Sequence, residues 1–359
     1  MPERMVEQFC EMVRIDSESG DEARFLGWLR DELVGMGGEA VFDAYGNLIA
    51  RFPGIGASTD EPILLSCHAD TVKPGVGIEP VVGDDGIIRS AGETILGADD
   101  KAGIAEVLAA LRSAPVRPPI EFAISRQEEV GLLGVKAMDF SLLTAKRGFL
   151  MDNDTLATII VGGPTYITLD VTVQGRSAHA GMEPEKGINA IAAAARAIAA
   201  LRLGRLGPQT TANVGVITGG VIRNGVPATC SSLAECRSAD HDAATALAAE
   251  MVATIQREVA AAGAKAEIAV DEKCRAVTIA DDAWSVGIAR RALSKVGIDA
   301  KPVFMTGFTD ASIYNNRGIE MAVIGIGAQN EHSTDECIAV ADMEKATAML
   351  VEIFRLTAA

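Results

Sequence analysis

Apolar and polar positions recur along this chain in two rhythms, and the places where the rhythm changes outline its elements. Residues 1–36 carry a helical pattern. In its second half Ala23, Phe25, Leu26, Leu29, Leu33 and Met36 fall near helical spacing, and Gly37-Gly38 stops the run, so two helices are predicted. Strand-like runs follow at 39–52 and 62–67. Asp99-Asp100-Lys101 then opens a helix over Ala102–Leu111, which ends before the proline-rich turn at 114–119. A strand at 120–125, a short helix near 133–138 and strands at 147–151 and 157–161 complete the first half. Strands alternating with helices of this length predict an α/β sheet with helices on its faces.

The texture changes after Gly162-Gly163-Pro164. Between about 165 and 274 the order becomes strand, helix (187–202), strand (212–217), strand (226–237), long helix (241–262) and strand (266–272). That β-α-β-β-α-β order is the one of a ferredoxin-like α+β sandwich. The α/β texture then returns, with helices at 282–296 and near 309–316, a buried-looking strand at 321–327 and a terminal helix at 342–357. The expected organisation is one mixed α/β domain built from 1–164 plus 275–359, with a smaller domain, 165–274, inserted and Gly162-Gly163-Pro164 as a hinge.

Composition narrows the function classes. The chain has 359 residues, 48% hydrophobic and 23% charged, and its 49 acidic against 32 basic residues leave a net charge of −17. Such a surface repels phosphate backbones and anionic lipid, which argues against nucleic-acid and membrane partners. No apolar stretch reaches the ~18 residues a membrane span needs. The charged first residues read as an amphipathic helix rather than a signal peptide. Six cysteines form no Cys-x-x-Cys pair and read as reduced thiols, which predicts a cytoplasmic location.

Only four histidines are present, so their neighbours matter. His68 follows an apolar strand and shares a strand face with Asp70, an arrangement that suits a metal ligand with a carboxylate fixing its tautomer, or a hydrogen-bonded structural pair. Gly97-Ala98-Asp99-Asp100-Lys101-Ala102-Gly103 sets two acids at a helix start, where one acid alone would serve as a cap. Glu128-Glu129 follows another strand; in extended backbone the two would point oppositely, one to a metal and one to substrate, or both would belong to a solvated turn. Asp152 ends a fourth apolar run, and His332-Ser333-Thr334-Asp335-Glu336 follows the 321–327 strand. Together these put two histidines and several carboxylates at strand ends, where open α/β sheets hold their ligands. Mixed histidine and carboxylate donors suit Zn²⁺, with Mn²⁺ or Co²⁺ also accommodated. With no phosphate-binding glycine loop and no Gly-x-Ser-x-Gly elbow in the chain, metal-assisted hydrolysis is the leading chemistry.

These five motifs, in this order, resemble the metal-site motifs of the co-catalytic zinc exopeptidases, the family of peptidase T, carboxypeptidases, desuccinylases and aminoacylases. Ser177-Ala178-His179-Ala180-Gly181-Met182-Glu183-Pro184 and Asn213-Val214-Gly215-Val216-Ile217, with the Gly97–Gly103 segment, are most similar to its peptidase-T-like branch. The resemblance implies a zinc-exopeptidase-like mixed sheet flanked by helices, with residues 165–274 as a dimerisation or lid domain. It implies two Zn²⁺ per subunit, bridged by Asp99, with His68 and Asp152 completing one site and Glu129 and His332 the other. Asp70 would orient His68, and Glu128 would be the general base that takes a proton from a metal-bridging water and returns it to the leaving amine. A non-proline cis peptide is implied at Asp99–Asp100.

In the inserted domain the resemblance makes His179 the stabiliser of the tetrahedral oxyanion, reaching into the partner subunit's site across a homodimer. Arg237 becomes a candidate grip for a substrate carboxylate, with a surface salt bridge as its other reading, and Asn213 a candidate of the same kind. His241 reads as a surface or capping residue. One departure stands out: relatives commonly carry Gly-Gly-Ser/Thr-Asp where this chain has Thr306-Gly307-Phe308-Thr309-Asp310. The expected activity is a tripeptide aminopeptidase-like exopeptidase acting on short peptides. The alternative on the same scaffold is a carboxypeptidase or an amidohydrolase of N-acyl amino acids. A catalytically silent binding protein would have lost the base or a ligand, and neither is lost.

Overall fold

The structure is a computed structural model that describes residues 2–359, so the first residue of the expected N-terminal helix lies outside it. The chain folds as two compact units. One runs through Gly162 and resumes over Thr278–Met305 and Thr309–Ala359; the other comprises Gly163–Val277 with Thr306–Phe308.

The first unit is organised by a nine-stranded mixed sheet. In its middle, Ile120–Ser125, Ile63–His68, Arg147–Asn153 and Glu320–Gly325 lie side by side and parallel. The strands Ile63–His68 and Ile120–Ser125 are buried at every position, which is why they read as continuous apolar runs rather than alternations. Because all four strands run the same way, Ser125, His68, Asn153 and Gly325 end at one edge of the sheet. Thr158–Gly163 comes next in the order, pairing antiparallel with Glu320–Gly325. Helices Pro2–Val13, Ala98–Ser113, Trp284–Lys295 and Val340–Thr357 pack on one another, around a core that includes Phe9, Val107, Leu108, Leu293, Leu350 and Phe354.

Three features of this unit differ from the sequence expectation. The run at 39–52 is a hairpin of two strands, Glu39–Phe42 and Leu48–Phe52, turned by the tight loop between them. A further strand, Lys301–Phe304, pairs parallel with Thr158–Gly163. A small four-stranded sheet joins Pro80–Val82, Ile87–Ser90, Cys337–Ala339 and Ala328–Gln329, all too short to show a pattern. The implied non-proline cis peptide is present between Asp99 and Asp100: the helix opened by the acidic pair begins at Ala98, with Asp99 (φ −82°, ψ 106°) and Asp100 (φ −118°, ψ 25°) outside helical geometry.

The second unit is an antiparallel five-stranded sheet in the order Gly204–Gly207, Thr210–Gly219, Thr229–Ser238, Thr165–Gln174, Lys265–Cys274. Its four long strands with helices Ala190–Ala200 and His241–Ala261 reproduce the ferredoxin-like order, with Gly204–Gly207 as an added edge strand. Along Thr165–Gln174 buried positions alternate with half-buried or exposed ones, so one face meets the helices through Leu169, Val171 and Val173. Asn189 and Asp240 cap the two helices, their carboxyl or amide oxygens accepting from the first-turn amides of Ala192 and of Asp242 and Ala243. Among the described residues no helix is long and apolar enough to cross a membrane.

Candidate metal centre

At the carboxyl edge of the parallel strands, side chains distant in sequence converge. His68 is 2% exposed; its Nδ1 donates to the carbonyl of Asp70 at 2.9 Å, which leaves Nε2 facing Asp99 Oδ1 at 3.1 Å and Asp152 Oδ1 at 3.9 Å. On the other side His332 Nε2 lies 2.9 Å from Glu129 Oε1 and 3.3 Å from Asp99 Oδ2. Asp99 thus faces one histidine with each oxygen. Three donor triads have ligand atoms within 4.8 Å of one another: His68, Asp99 and Asp152; Asp99, Glu129 and His332; and His68, Glu128 and Glu129.

Local backbone explains how each group arrives. Gly97, at φ 71°, turns the chain into the Ala98–Ser113 helix and supports the loop that carries Asp99. At Gly103 the helix approaches the strand Arg147–Asn153 so closely that a Cβ would sit 2.3 Å from Asp100 Oδ1 and 2.9 Å from Met151 Cβ. This absence of a side chain lets the Asp99 turn settle beside Asp152. Glu128 and Glu129 are not on opposite faces of an extended segment: Gln127 (φ 52°) bends the chain into a turn, and both carboxylates come within ligand distance of His68. The turn is held by Asp70, whose Oδ1 accepts from the Glu128 amide at 2.9 Å and whose Oδ2 accepts from Glu129 at 3.2 Å and from Ser19 Oγ at 2.7 Å. His332 is itself in the left-handed region (φ 60°).

The electrostatics are those of an acid cluster short of cations. Burial, then the charges of Asp99 and other carboxylates, pushes Asp152 well above the usual carboxylate range, and burial together with Asp152 does the same to Glu128. Burial works against charge on His68 and Asp99 too. Hydrogen bonds donated to Asp70 and Asp99 nonetheless raise His68 well above an ordinary imidazole, and bonds from His332 and His68 hold Asp99 low. Bonds to Asp99 and Glu129 push His332 up to about 10. Two imidazoles and several inward-facing carboxylates at these separations suit a divalent cation, and the carboxylates pushed up by burial and by their neighbours' charge are the groups a cation would relieve.

The fold and this edge can be set beside known proteins. Residues 162–262 match the peptidase dimerisation domain, and residues 47–179 match peptidase family M28. The uncharacterized protein YqjE of Bacillus subtilis is 35% identical, the match covering 98% of this chain and 97% of YqjE. The crystal structure of aminopeptidase PepT from Bacillus cereus is 35% identical with a TM-score of 0.89, covering 100% of this chain and 99% of that one. A tripeptidase from Staphylococcus aureus is 32% identical with a TM-score of 0.93 at the same coverage. The chain belongs to the peptidase-T-like metallopeptidases.

In this metallopeptidase the first unit brings together His68, Asp70, Asp99, Glu128, Glu129, Asp152 and His332, all named from the sequence. Two further residues had no assigned part: Glu336, inside the last of those motifs, and Asp310, in the Thr306–Asp310 stretch. Glu336 accepts from the amides of Leu96 at 2.8 Å, Gly97 at 2.7 Å and Asp99 at 3.0 Å, so it clamps the loop that presents Asp99. Asp310 is 1% exposed, accepts from Ser125 Oγ and is pushed up to about 7 by burial. Neither signal is visible in a hydrophobic pattern; the run of acids after His332 was the only hint for Glu336.

His179, Asn213 and Arg237 belong to the second unit. His179 is exposed and its Nδ1 accepts from the amides of Gly181 at 3.2 Å and Met182 at 3.1 Å, leaving Nε2–H outward. Asn213 is exposed on the strand Thr210–Gly219, opposite Glu235. Arg237 is paired with Glu235 at 3.0 Å and lies against the rings of Tyr166 and Phe308. His241 begins its helix, with Nδ1 3.2 Å from Thr165 Oγ1; the capping side chain is that of Asp240.

Proposed function

We propose that this enzyme is an exopeptidase of short peptides, removing the amino-terminal residue of tripeptides, with two divalent cations, zinc foremost, held at the edge described above. The observation that carries the reading is the pair of donor clusters that share Asp99, with His68 and Asp152 in one and Glu129 and His332 in the other, and with Glu128 beside them, in a chain that matches an aminopeptidase and a tripeptidase over its whole length. Asp99 would be shared, His68 and Asp152 serving one cation and Glu129 and His332 the other. When bound, the cations supply Lewis acidity toward the scissile carbonyl and acidify the attacking water.

The chain's own groups do the rest. Glu128, buried and fixed by the Asp70–amide bond, takes the water's proton and delivers it to the departing amine. His68 is kept in the tautomer with Nε2 free by its bond to the Asp70 carbonyl. His179, with its Nε2–H turned outward, is the proposed donor to the developing oxyanion, and Asn213 a proposed substrate contact. The match to a peptidase dimerisation domain supports a homodimer joined through the second unit. Free thiols at all six cysteines, five of them buried, support a reducing, cytoplasmic setting.

The test is a panel of free tripeptides, dipeptides, N-acetyl amino acids and C-terminally amidated tripeptides, with and without chelator. Chelator-sensitive cleavage of free-amine tripeptides is expected, and Glu128→Gln is expected to lower kcat by about 10²–10⁴ while leaving bound metal in place. Turnover confined to the acylated compounds would transfer the enzyme to the amidohydrolase alternative, and full turnover by Glu128→Gln would remove the proposed base.

A further inference from the structure

Away from the metal centre, the helices Pro2–Val13, Ala98–Ser113 and Val340–Thr357 and the end of Trp284–Lys295 border a cleft of about 790 Å³ in the first unit. It touches Ala98–Ser113 only from Ala109 onward, roughly 15 Å along the helix from Asp99. Met5, Ala109, Val296, Ala348 and Val351 give it an apolar floor. On Val340–Thr357 the lining positions 344, 347, 348, 351 and 352 recur at helical spacing, so one stripe of that helix faces the cleft. The two hydroxyls of the wall are turned onto the protein itself, Thr347 Oγ1 toward Met5 Sδ at 3.1 Å and Ser113 Oγ to the Ala109 carbonyl at 2.8 Å. The polar handles left to a ligand are therefore charges.

Those charges are of both signs. Arg112 is shared with Glu32 at 3.2 Å, and Glu352 accepts from Arg355 at 2.9 Å. Arg4, Lys295 and Glu344 also line the cleft and make no ion pair among the described residues. Burial, and then the charge of Arg4, holds Arg112 below the ordinary guanidinium value, so the two guanidiniums stand near each other. Neighbouring guanidiniums favour a carboxylate, which takes two parallel N–H donors. A phosphate or a plain fatty acid would meet Glu344 and Glu352 as repulsion, and a simple amine would meet the guanidiniums so. Clefts of this size with an apolar floor and a few charged groups are typical small-molecule sites.

We propose that this cleft binds a small zwitterion with an apolar side chain, a free amino acid or dipeptide, its carboxylate toward Arg4 and Arg112, its ammonium toward Glu344 and its side chain on the Met5–Val351 floor. On the peptidase reading this is the class of the enzyme's own products; the binding itself does not rest on that reading.

The experiment titrates full-length, metal-loaded enzyme, labelled at methionine and valine methyls, with leucine, N-acetyl-leucine, leucinamide and octanoate. Met5, Val296 and Val351 report the cleft, and Met151, packed against Gly103, reports the metal centre. Leucine is expected to shift the cleft methyls saturably and to bind about tenfold or more tighter than either compound that lacks one of its charges. Arg4→Gln is expected to weaken leucine and N-acetyl-leucine alike by about tenfold, whereas Glu344→Gln weakens leucine and leaves N-acetyl-leucine unchanged. Ala348→Trp, which fills the cleft from an exposed position, is expected to abolish the shifts, and a chelator to leave them in place. Shifts confined to Met151, or cleft shifts that survive Ala348→Trp, would overturn the site. Equal affinity for leucine and its two singly charged analogues would overturn the zwitterion, and octanoate binding tighter than leucine would replace it with an aliphatic acid. An enzyme that cleaves no peptide yet binds leucine here would end the peptidase reading and leave this site standing.

Discussion

With its two oxygens accepting from the amides of Glu128 and Glu129 and from Ser19, Asp70 organises more than the imidazole beside it. Its backbone carbonyl does the closer work on His68, at 2.9 Å, against 3.6 Å for the carboxylate. Asp70→Ala is therefore expected to weaken both metal affinity and kcat by about 10–100-fold, because it releases the glutamate turn. Metal titration followed by steady-state kinetics checks this, and a loss confined to affinity would show that the turn holds without it. His332 gives the site a pH dependence of definite sign. Held near 10 by Asp99 and Glu129 when no cation is present, it carries a proton at neutral pH that a ligating imidazole must give up. Apparent metal affinity should then rise with pH between about 6 and 9, by up to roughly tenfold per unit for each proton released. Calorimetry in buffers of different ionisation enthalpy counts those protons. The residue types at this centre were legible in the sequence because most follow an apolar run and Asp99 stands at a helix start. The second role of Asp70 and the clamping by Glu336 were not, since a carboxylate accepting from backbone amides leaves no periodic trace.

The helix Ala98–Ser113 depends on its exact sequence at one close approach. Gly103 meets Asp100 and Met151 at distances that leave no room for a methyl group. Gly103→Ala is expected to destabilise the protein by about 1–3 kcal/mol through overpacking and to lower metal occupancy, because the displaced turn carries Asp99. Urea unfolding with and without metal measures both, and equal stability with full occupancy would show that the helix can slide to make space. The long helices and the central strands could be read from their apolar rhythm, and the ferredoxin-like order from the succession of lengths. What escaped had too few residues to carry a rhythm. Pro80–Val82 and Ala328–Gln329 are three and two residues long, and Lys301–Phe304 is an edge strand half open to solvent. The conformation of Glu128-Glu129 stayed open between extended chain and turn because a left-handed residue that is not glycine, here Gln127, leaves no mark in sequence.

For the whole molecule, metal and fold are expected to be linked through the first unit, which carries the candidate donors. Cations at about 100 times their dissociation constant should add about 2.7 kcal/mol to its stability, and a chelator should remove it. Exchange protection is expected to increase over 63–154 and 320–336 and to remain unchanged over 165–274; gains spread evenly over both units would contradict this assignment. The strand order has a consequence for synthesis. Glu320–Gly325 lies between Arg147–Asn153 and Thr158–Gly163, so those two neighbours wait for a strand translated more than a hundred residues after them. The second unit, its sheet strands drawn from 165–274, has its sheet complete while the first still has a gap at its centre. During synthesis the second unit's sheet can therefore be complete while the first sheet is still open, and His332, proposed as a donor of the metal centre, is supplied only after the missing strand has arrived.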